Sequence, residues 1–111
     1  RQPDAPNATK FEMFVFDALH FAERGLVYET DRVEEFAPIK NATGVDSAES
    51  SALLQTERAA RWFEANDVAV PRNAEGEVEG RIEIAPSTGL ESRDLADVDL
   101  PKMEPGQDLV V

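Results

Sequence analysis

The sequence has no cysteine, a single histidine (His20) and only three lysines among its 111 residues. Without cysteine there is no disulfide, no thiolate metal site and no cysteine nucleophile, and one histidine excludes a histidine-rich zinc site. No apolar run approaches the roughly 18 residues that would span a bilayer, and no secretory signal is present. We therefore expect a soluble, cytoplasmic protein with no membrane partner.

Positive charge is also scarce, since 11 Lys+Arg stand against 23 Asp+Glu and the formal charge is −12. A nucleic-acid partner would need a basic face that releases counterions, so none is expected. The length suits one small domain and leaves little room for a cofactor cleft. The chain begins with Arg1 rather than Met, which indicates that it was processed, trimmed or excised from something longer.

The first half of the sequence predicts a helix followed by a strand. Residues 1–9 are interpreted as a linker, and the capping-box spacing of Thr9 and Glu12 predicts a helix over about 10–24. Apolar residues cover most of the circumference of that helix, so we expect it to be buried on more than one side in a larger body. Residues 26–31 predict a strand, which makes the fold class α/β.

A proline-broken loop over 32–44 and a second helix come next. Asp46 and Glu49 have the capping-box offset, and the helix is predicted to run to about Asn66 with a Glu57–Arg61 pair on its solvated face. We assign 10–67 to one domain.

The remaining sequence predicts a small β-containing region over 68–96. A short strand is possible over 68–70 and a second is predicted over 81–85, where apolar and polar residues alternate. The Asp, Pro and Gly content of 97–111 predicts a flexible tail.

Lys40 is the residue with the clearest chemical potential. It lies in a proline-stiffened loop of a chain whose exposed positions are mostly acidic, so it could contact a phosphate oxygen as a point charge. It could equally be an ordinary surface lysine, and the residues alone leave both interpretations open. Acidic pairs are expected by chance among 23 carboxylates, so we predict no metal ligand in this chain.

Four ordered motifs carry a family resemblance. They are FVFD at 14–17, VYE at 27–29, EFAPIKNA at 35–42 and IEIAP at 82–86. Together they resemble the C-terminal part of eukaryotic-type UDP-N-acetylglucosamine pyrophosphorylases, over about residues 10–96. The broader UDP-sugar pyrophosphorylase family shares the lysine loop, so that loop alone does not choose among sugars.

The resemblance implies a nucleotidyltransferase that forms a UDP-sugar and pyrophosphate from UTP and a sugar 1-phosphate with Mg²⁺. It implies that Lys40 contacts the nucleotide-sugar phosphates as the catalytic residue and that Asn41 beside it binds substrate. It also implies that Phe16, with Phe14 as its neighbour, contacts the N-acyl group of the sugar; packing in a core is the other interpretation of the two phenylalanines. The implied fold is a fragment of a Rossmann-like nucleotidyltransferase domain, arranged helix-strand-loop-helix and running into the small C-terminal β region.

The family's glycine-rich nucleotide loop has no counterpart in this sequence. We therefore expect the isolated 111 residues to be inactive, with the N-terminal catalytic region of the same protein as partner and most of the Mg²⁺ ligands outside this chain. The alternative is a non-catalytic, stand-alone binding or interaction module derived from the same family.

Overall fold

One long helix organises the computed structural model, which describes residues 7–111; most of the predicted linker 1–9 lies outside this range. The helix is α2, Ala48–Ala65, and the predicted second helix is thereby confirmed. It begins one residue later than expected, because Ser47 and not Asp46 is the N-cap. The Ser47 side chain accepts from the Ser50 N–H at 3.2 Å, and the Ser50 hydroxyl accepts from the Ser47 N–H at 3.0 Å.

The core lies on one face of α2. A short helix, α1 (Arg32–Glu35), precedes α2 and packs on it. Strand β1 (Gly80–Glu83) and a 3₁₀ helix (Ser92–Leu95) also pack against α2. The buried apolar side chains are Ala59, Ala60, Trp62, Phe63, Val70, Val78, Ile82, Leu95 and Met103.

A parallel pair of strands completes this body. β1 pairs with β2, Gln107–Val110, so that Ile82 lies opposite Leu109. Parallel neighbours need a crossover of a dozen or more residues, and residues 84–106 supply it. Gly80 starts β1 at φ +129°, and a Cβ there would lie 2.2 Å from the Gln107 carbonyl oxygen.

Helix and parallel strands are compatible with the expected α/β class. The predicted strand at 81–85 is confirmed as β1, one residue earlier. The possible strand at 68–70 does not form within the described chain; Val70 packs in the core instead.

The flexible tail expected over 97–111 is wrong, because β2 forms there. Met103 is only 6% exposed and anchors the segment against the core, while β1 supplies the hydrogen-bonding partner. The composition of a segment contains no information about a partner strand elsewhere, so composition alone predicts flexibility for polar and proline-rich residues.

The N-terminal part of the described chain, residues 7–31, is called the first segment here and differs most from expectation. In place of a helix over 10–24 there is a 3₁₀ helix, Val15–Phe21, and no strand forms over 26–31 in the described chain. The radius of gyration is 19.6 Å, against roughly 13 Å for a compact chain of about this length. Apolar helices gain most of their stability from packing, and within residues 7–111 no other helix or strand packs against this segment.

Replacing Phe63 by alanine tests the assignment of the core. Phe63 is fully buried, so Phe63→Ala should lower the free energy of unfolding by about 3–5 kcal/mol through lost burial and a cavity. Urea denaturation measures this loss. Leu53→Ala, at a half-exposed position of the same helix, should cost on the order of 0.5 kcal/mol; equal losses would contradict the described face of α2.

Candidate functional site

Lys40 lies at the start of a closed turn, residues 40–46, which we call the Lys40 turn. The backbone N–H groups of Lys40 and Asn41 both donate to the carbonyl oxygen of Asp46, at 2.6 and 2.9 Å. Gly44 and Asp46 have positive φ angles of 77° and 56°, which the tight return of the chain requires. The backbone that carries Lys40 is therefore held in one conformation directly before α2.

The Lys40 side chain is exposed. It takes part in none of the ion pairs formed among residues 7–111. An ammonium group on a fixed backbone, with no carboxylate to neutralise it there, can contact an anionic ligand such as a phosphate.

Asn41 has a structural role in this turn. Its side-chain Nδ2 donates to the Val45 carbonyl oxygen at 2.7 Å, so the amide helps to close the ring that holds Lys40. Asn41 is exposed, and its side-chain oxygen accepts no hydrogen bond from the described residues.

Phe14 and Phe16 are placed differently. Phe14 precedes the 3₁₀ helix Val15–Phe21 and Phe16 lies in it, and their exposed fractions are 61% and 70%. That 3₁₀ helix packs against no other helix or strand in the part of the chain that the structure describes. The described residues thus bring Lys40 and Asn41 together but do not cover either aromatic side chain.

A cluster around Glu34 links α1 to α2. Arg61 donates to Glu34 Oε1 from Nη2 at 2.6 Å and from Nε at 2.9 Å, and the Trp62 indole N–H donates to Oε2 at 3.1 Å. The Arg58 guanidinium stacks on the Trp62 ring, 4.2 Å from its centroid, which is a favourable cation–π geometry. This cluster fixes the segment that leads into the Lys40 turn.

The charges in this cluster act on Glu34. Burial by itself raises the pKa of Glu34, but hydrogen bonds from Arg61 and Trp62 outweigh it, and the pKa lies below its usual value of 4.5. The i, i+4 spacing on α2 predicts a different partner for Arg61, namely Glu57. Glu57 instead accepts from Arg72 at 2.9 Å and from the Val78 N–H at 2.9 Å.

Glu57 and Arg72 form a second cluster that ties α2 to the turn before β1. Burial raises the pKa of Glu57, yet the hydrogen bonds from Val78 and Arg72 bring it below 4.5. Arg72 also donates to Glu64 at 3.0 Å, and the bonds to Glu64 and Glu57 raise its pKa. The two clusters thus tie α2 to α1 and to the turn before β1.

A groove of about 540 Å³ lies between α2 and the strand pair. Its lining is partly apolar, with Ile82, Ile84 and Leu109, and partly charged, with Arg58, Arg81 and Asp108. None of the four predicted site residues lines it.

Residues 7–111 contain no group of three histidine, aspartate or glutamate side chains that could hold a metal ion. Over the same residues, no helix has the length and apolar character needed to cross a membrane.

Comparison with known proteins gives relatives that are named as UDP-sugar pyrophosphorylases. The chain is 41% identical over 61 residues to UDP-N-acetylhexosamine pyrophosphorylase-like protein 1 of Xenopus tropicalis, which covers 55% of the chain and 11% of the relative. It is 44% identical over 55 residues to UDP-N-acetylglucosamine diphosphorylase 2 of Arabidopsis thaliana, with coverage of 48% and 11%. The human pyrophosphorylase-like protein 1 is 47% identical over 45 residues, with coverage of 40% and 9%.

By their names, these relatives belong to the nucleotide-sugar pyrophosphorylase class. The predicted resemblance to the UDP-N-acetylglucosamine and UDP-N-acetylhexosamine pyrophosphorylases is confirmed over about half of the chain. The chain spans about a tenth of the length of these curated relatives. No family model matches the chain. No solved structure matches it either.

Sequence reasoning missed the Glu34 cluster, although one signal was available. Arg58, Arg61 and Trp62 have the i, i+3, i+4 spacing that places side chains on one face of a helix. Such a face favours a carboxylate partner, but nothing in the spacing says that the partner is Glu34 rather than another of the 23 acidic residues.

Acidification tests the Glu34 cluster. The folded-state pKa is lowered, so the ionised carboxylate stabilises the fold fully above about pH 4.5, and this contribution is lost as pH falls through the lowered value. Between about pH 5 and pH 3, the Tm of the unaltered chain should fall further than that of Glu34→Gln. Glu35→Gln is the control, because Glu35 is exposed and joins no ion pair in residues 7–111; an unchanged pH slope in Glu34→Gln would contradict the cluster.

Proposed function

We propose that this chain is the C-terminal part of a uridylyltransferase that makes UDP-N-acetylhexosamine and pyrophosphate from UTP and an N-acetylhexosamine 1-phosphate. The observation that carries the proposal is the 41–47% identity, over 40–55% of the chain, to proteins named UDP-N-acetylhexosamine pyrophosphorylase-like protein 1 and UDP-N-acetylglucosamine diphosphorylase 2. The order of the motifs FVFD, EFAPIKNA and IEIAP adds to it.

Lys40 is the proposed catalytic residue. A phosphate oxygen of the sugar 1-phosphate attacks the α-phosphorus of UTP, and the bond from that phosphorus to the bridging oxygen breaks, so that pyrophosphate leaves. Negative charge spreads over the phosphoryl oxygens during this in-line transfer, and a fixed cation lowers its energy. The held backbone and exposed side chain of Lys40 support this role.

Phe16 is proposed to contact the N-acyl group of the sugar, with Phe14 beside it and Asn41 close to the Lys40 contact. In this proposal the N-terminal catalytic region of the same protein covers the first segment and completes the pocket. The supporting observation is the exposure of the segment's apolar side chains, among them Phe11 at 91%, Leu26 at 91% and Tyr28 at 82%. We assign Mg²⁺ to parts of the enzyme other than residues 7–111.

A stand-alone binding module remains the second candidate. One observation favours it: every buried apolar residue of the core lies within 59–103, so the second half of the chain builds its core without the first segment. The groove between α2 and the strands would be its binding surface.

Removing the Lys40 charge tests the enzyme proposal. In the complete pyrophosphorylase that carries this segment, Lys40→Ala should lower UDP-sugar formation by on the order of 10²-fold, measured as pyrophosphate release from UTP with N-acetylglucosamine 1-phosphate. Lys102→Ala is the matched control, because Lys102 is exposed and lies outside the Lys40 turn. Full turnover in Lys40→Ala would contradict the proposed catalytic role of this lysine. Parallel assays with N-acetylgalactosamine 1-phosphate and glucose 1-phosphate would define the sugar.

Measurements on the isolated 111 residues discriminate between the enzyme proposal and the stand-alone module. A stand-alone module should give a monodisperse species with one cooperative thermal transition in light scattering and circular dichroism. The enzyme proposal predicts aggregation that is relieved by deleting residues 7–31, because exposed apolar patches of that size associate. A soluble, monodisperse full segment would count against the proposed cover.

A further inference from the structure

Two anchors hold the segment that carries Lys40, one before it and one after it. The second anchor is the Asp46 carbonyl described above. The first is the Ser51 hydroxyl, which donates to the Ala37 carbonyl oxygen at 2.8 Å. Lys40 lies between these two fixed points, three residues after Ala37.

Serine is an unusual residue at this buried position of α2. It is 2% exposed and lies in the first turns of a helix, where alanine would give greater intrinsic stability. A serine hydroxyl there often bonds back to its own helix, but this one reaches a carbonyl fourteen residues earlier in the chain. The Gln55 Nε2 donates to the Ser51 oxygen at 3.2 Å, which leaves the hydroxyl proton free to point at Ala37.

Pro38 couples the hydrogen bond at Ala37 to the position of the Lys40 backbone. The proline ring fixes its own φ near −65°, and the residue before a proline is restricted to extended conformations. Because Ala37 and Pro38 have so little backbone freedom, fixing the Ala37 carbonyl also fixes the direction in which the chain enters Ile39 and Lys40. A loose anchor would therefore displace the start of the Lys40 turn as a unit.

We infer that Ser51 is a positioning residue for Lys40, an inference that rests on the proposed function. Ser51 touches no reacting group; it acts through the Ala37 carbonyl and Pro38 to hold the lysine where the transferred phosphoryl group develops charge. Misplacement of a charge-stabilising group by about 1 Å can cost on the order of 10²-fold in rate. Loss of one of two anchors should cost less.

Hydrogen exchange tests the anchor without reference to activity. In the complete protein, Ser51→Ala should speed exchange of the Lys40 and Asn41 amides by about tenfold through more frequent local opening. Thr56→Ala is the control, since Thr56 is buried on the same helix but lines the groove on the strand side, and it should leave these two amides unchanged. Unchanged exchange in Ser51→Ala would overturn the inference.

Steady-state kinetics test the positioning role. Ser51→Ala should lower kcat by about tenfold with little change in the KM for UTP, and Ser51→Thr, which keeps the hydroxyl, should restore it. Combining Ser51→Ala with Lys40→Ala should produce no loss beyond that of Lys40→Ala alone, because residues that act as a unit are non-additive.

The outcomes separate the two proposals. If Lys40→Ala lowers turnover while Ser51→Ala leaves kcat unchanged, or if the double variant shows a fully additive loss, the positioning role is overturned and the proposed function stands. If Lys40→Ala itself keeps full turnover, both are overturned.

Discussion

Helix α2 must bury one face, and the segments that pack on it are arranged by that requirement. Strand β1, the 3₁₀ helix Ser92–Leu95 and residues of the crossover all pack against its apolar face around Phe63. The Lys40 turn ends directly before Ser47, the N-cap of this helix, and Ser51 in the helix donates to the Ala37 carbonyl oxygen on the other side of the turn. The same helix therefore supplies both a core and a fixed platform for Lys40.

The first segment shows the opposite situation. Its apolar residues are spaced for burial on several sides, yet helical structure survives only over Val15–Phe21 and all of its side chains are exposed. A hydrophobic pattern shows which side chains are suited to burial, but burial itself requires another element to pack against them. Without such a partner, only intrinsic helix propensity favours the helix, and for β-branched and aromatic residues that propensity is weak.

The fold was predictable where the controlling interactions are local. Helix α2 and strand β1 follow from capping residues, periodicity and alternation within a few positions. β2 was not predictable, because its partner lies a whole crossover away and its own composition is that of a loop. In the candidate site, the scarcity of lysine and the order of the motifs were enough to propose Lys40, whereas Ser51 and Glu34 have partners that only the folded chain brings near.

The close contact at Gly80 also limits which residue can begin β1. Any other residue at this position would place a Cβ against the Gln107 carbonyl oxygen and the Met103 side chain, at a φ angle that residues with a Cβ rarely adopt. A substitution there would push β1 away from β2 and from Met103, and because Ile82 lies two residues along the same strand, it would loosen the core on the α2 side as well.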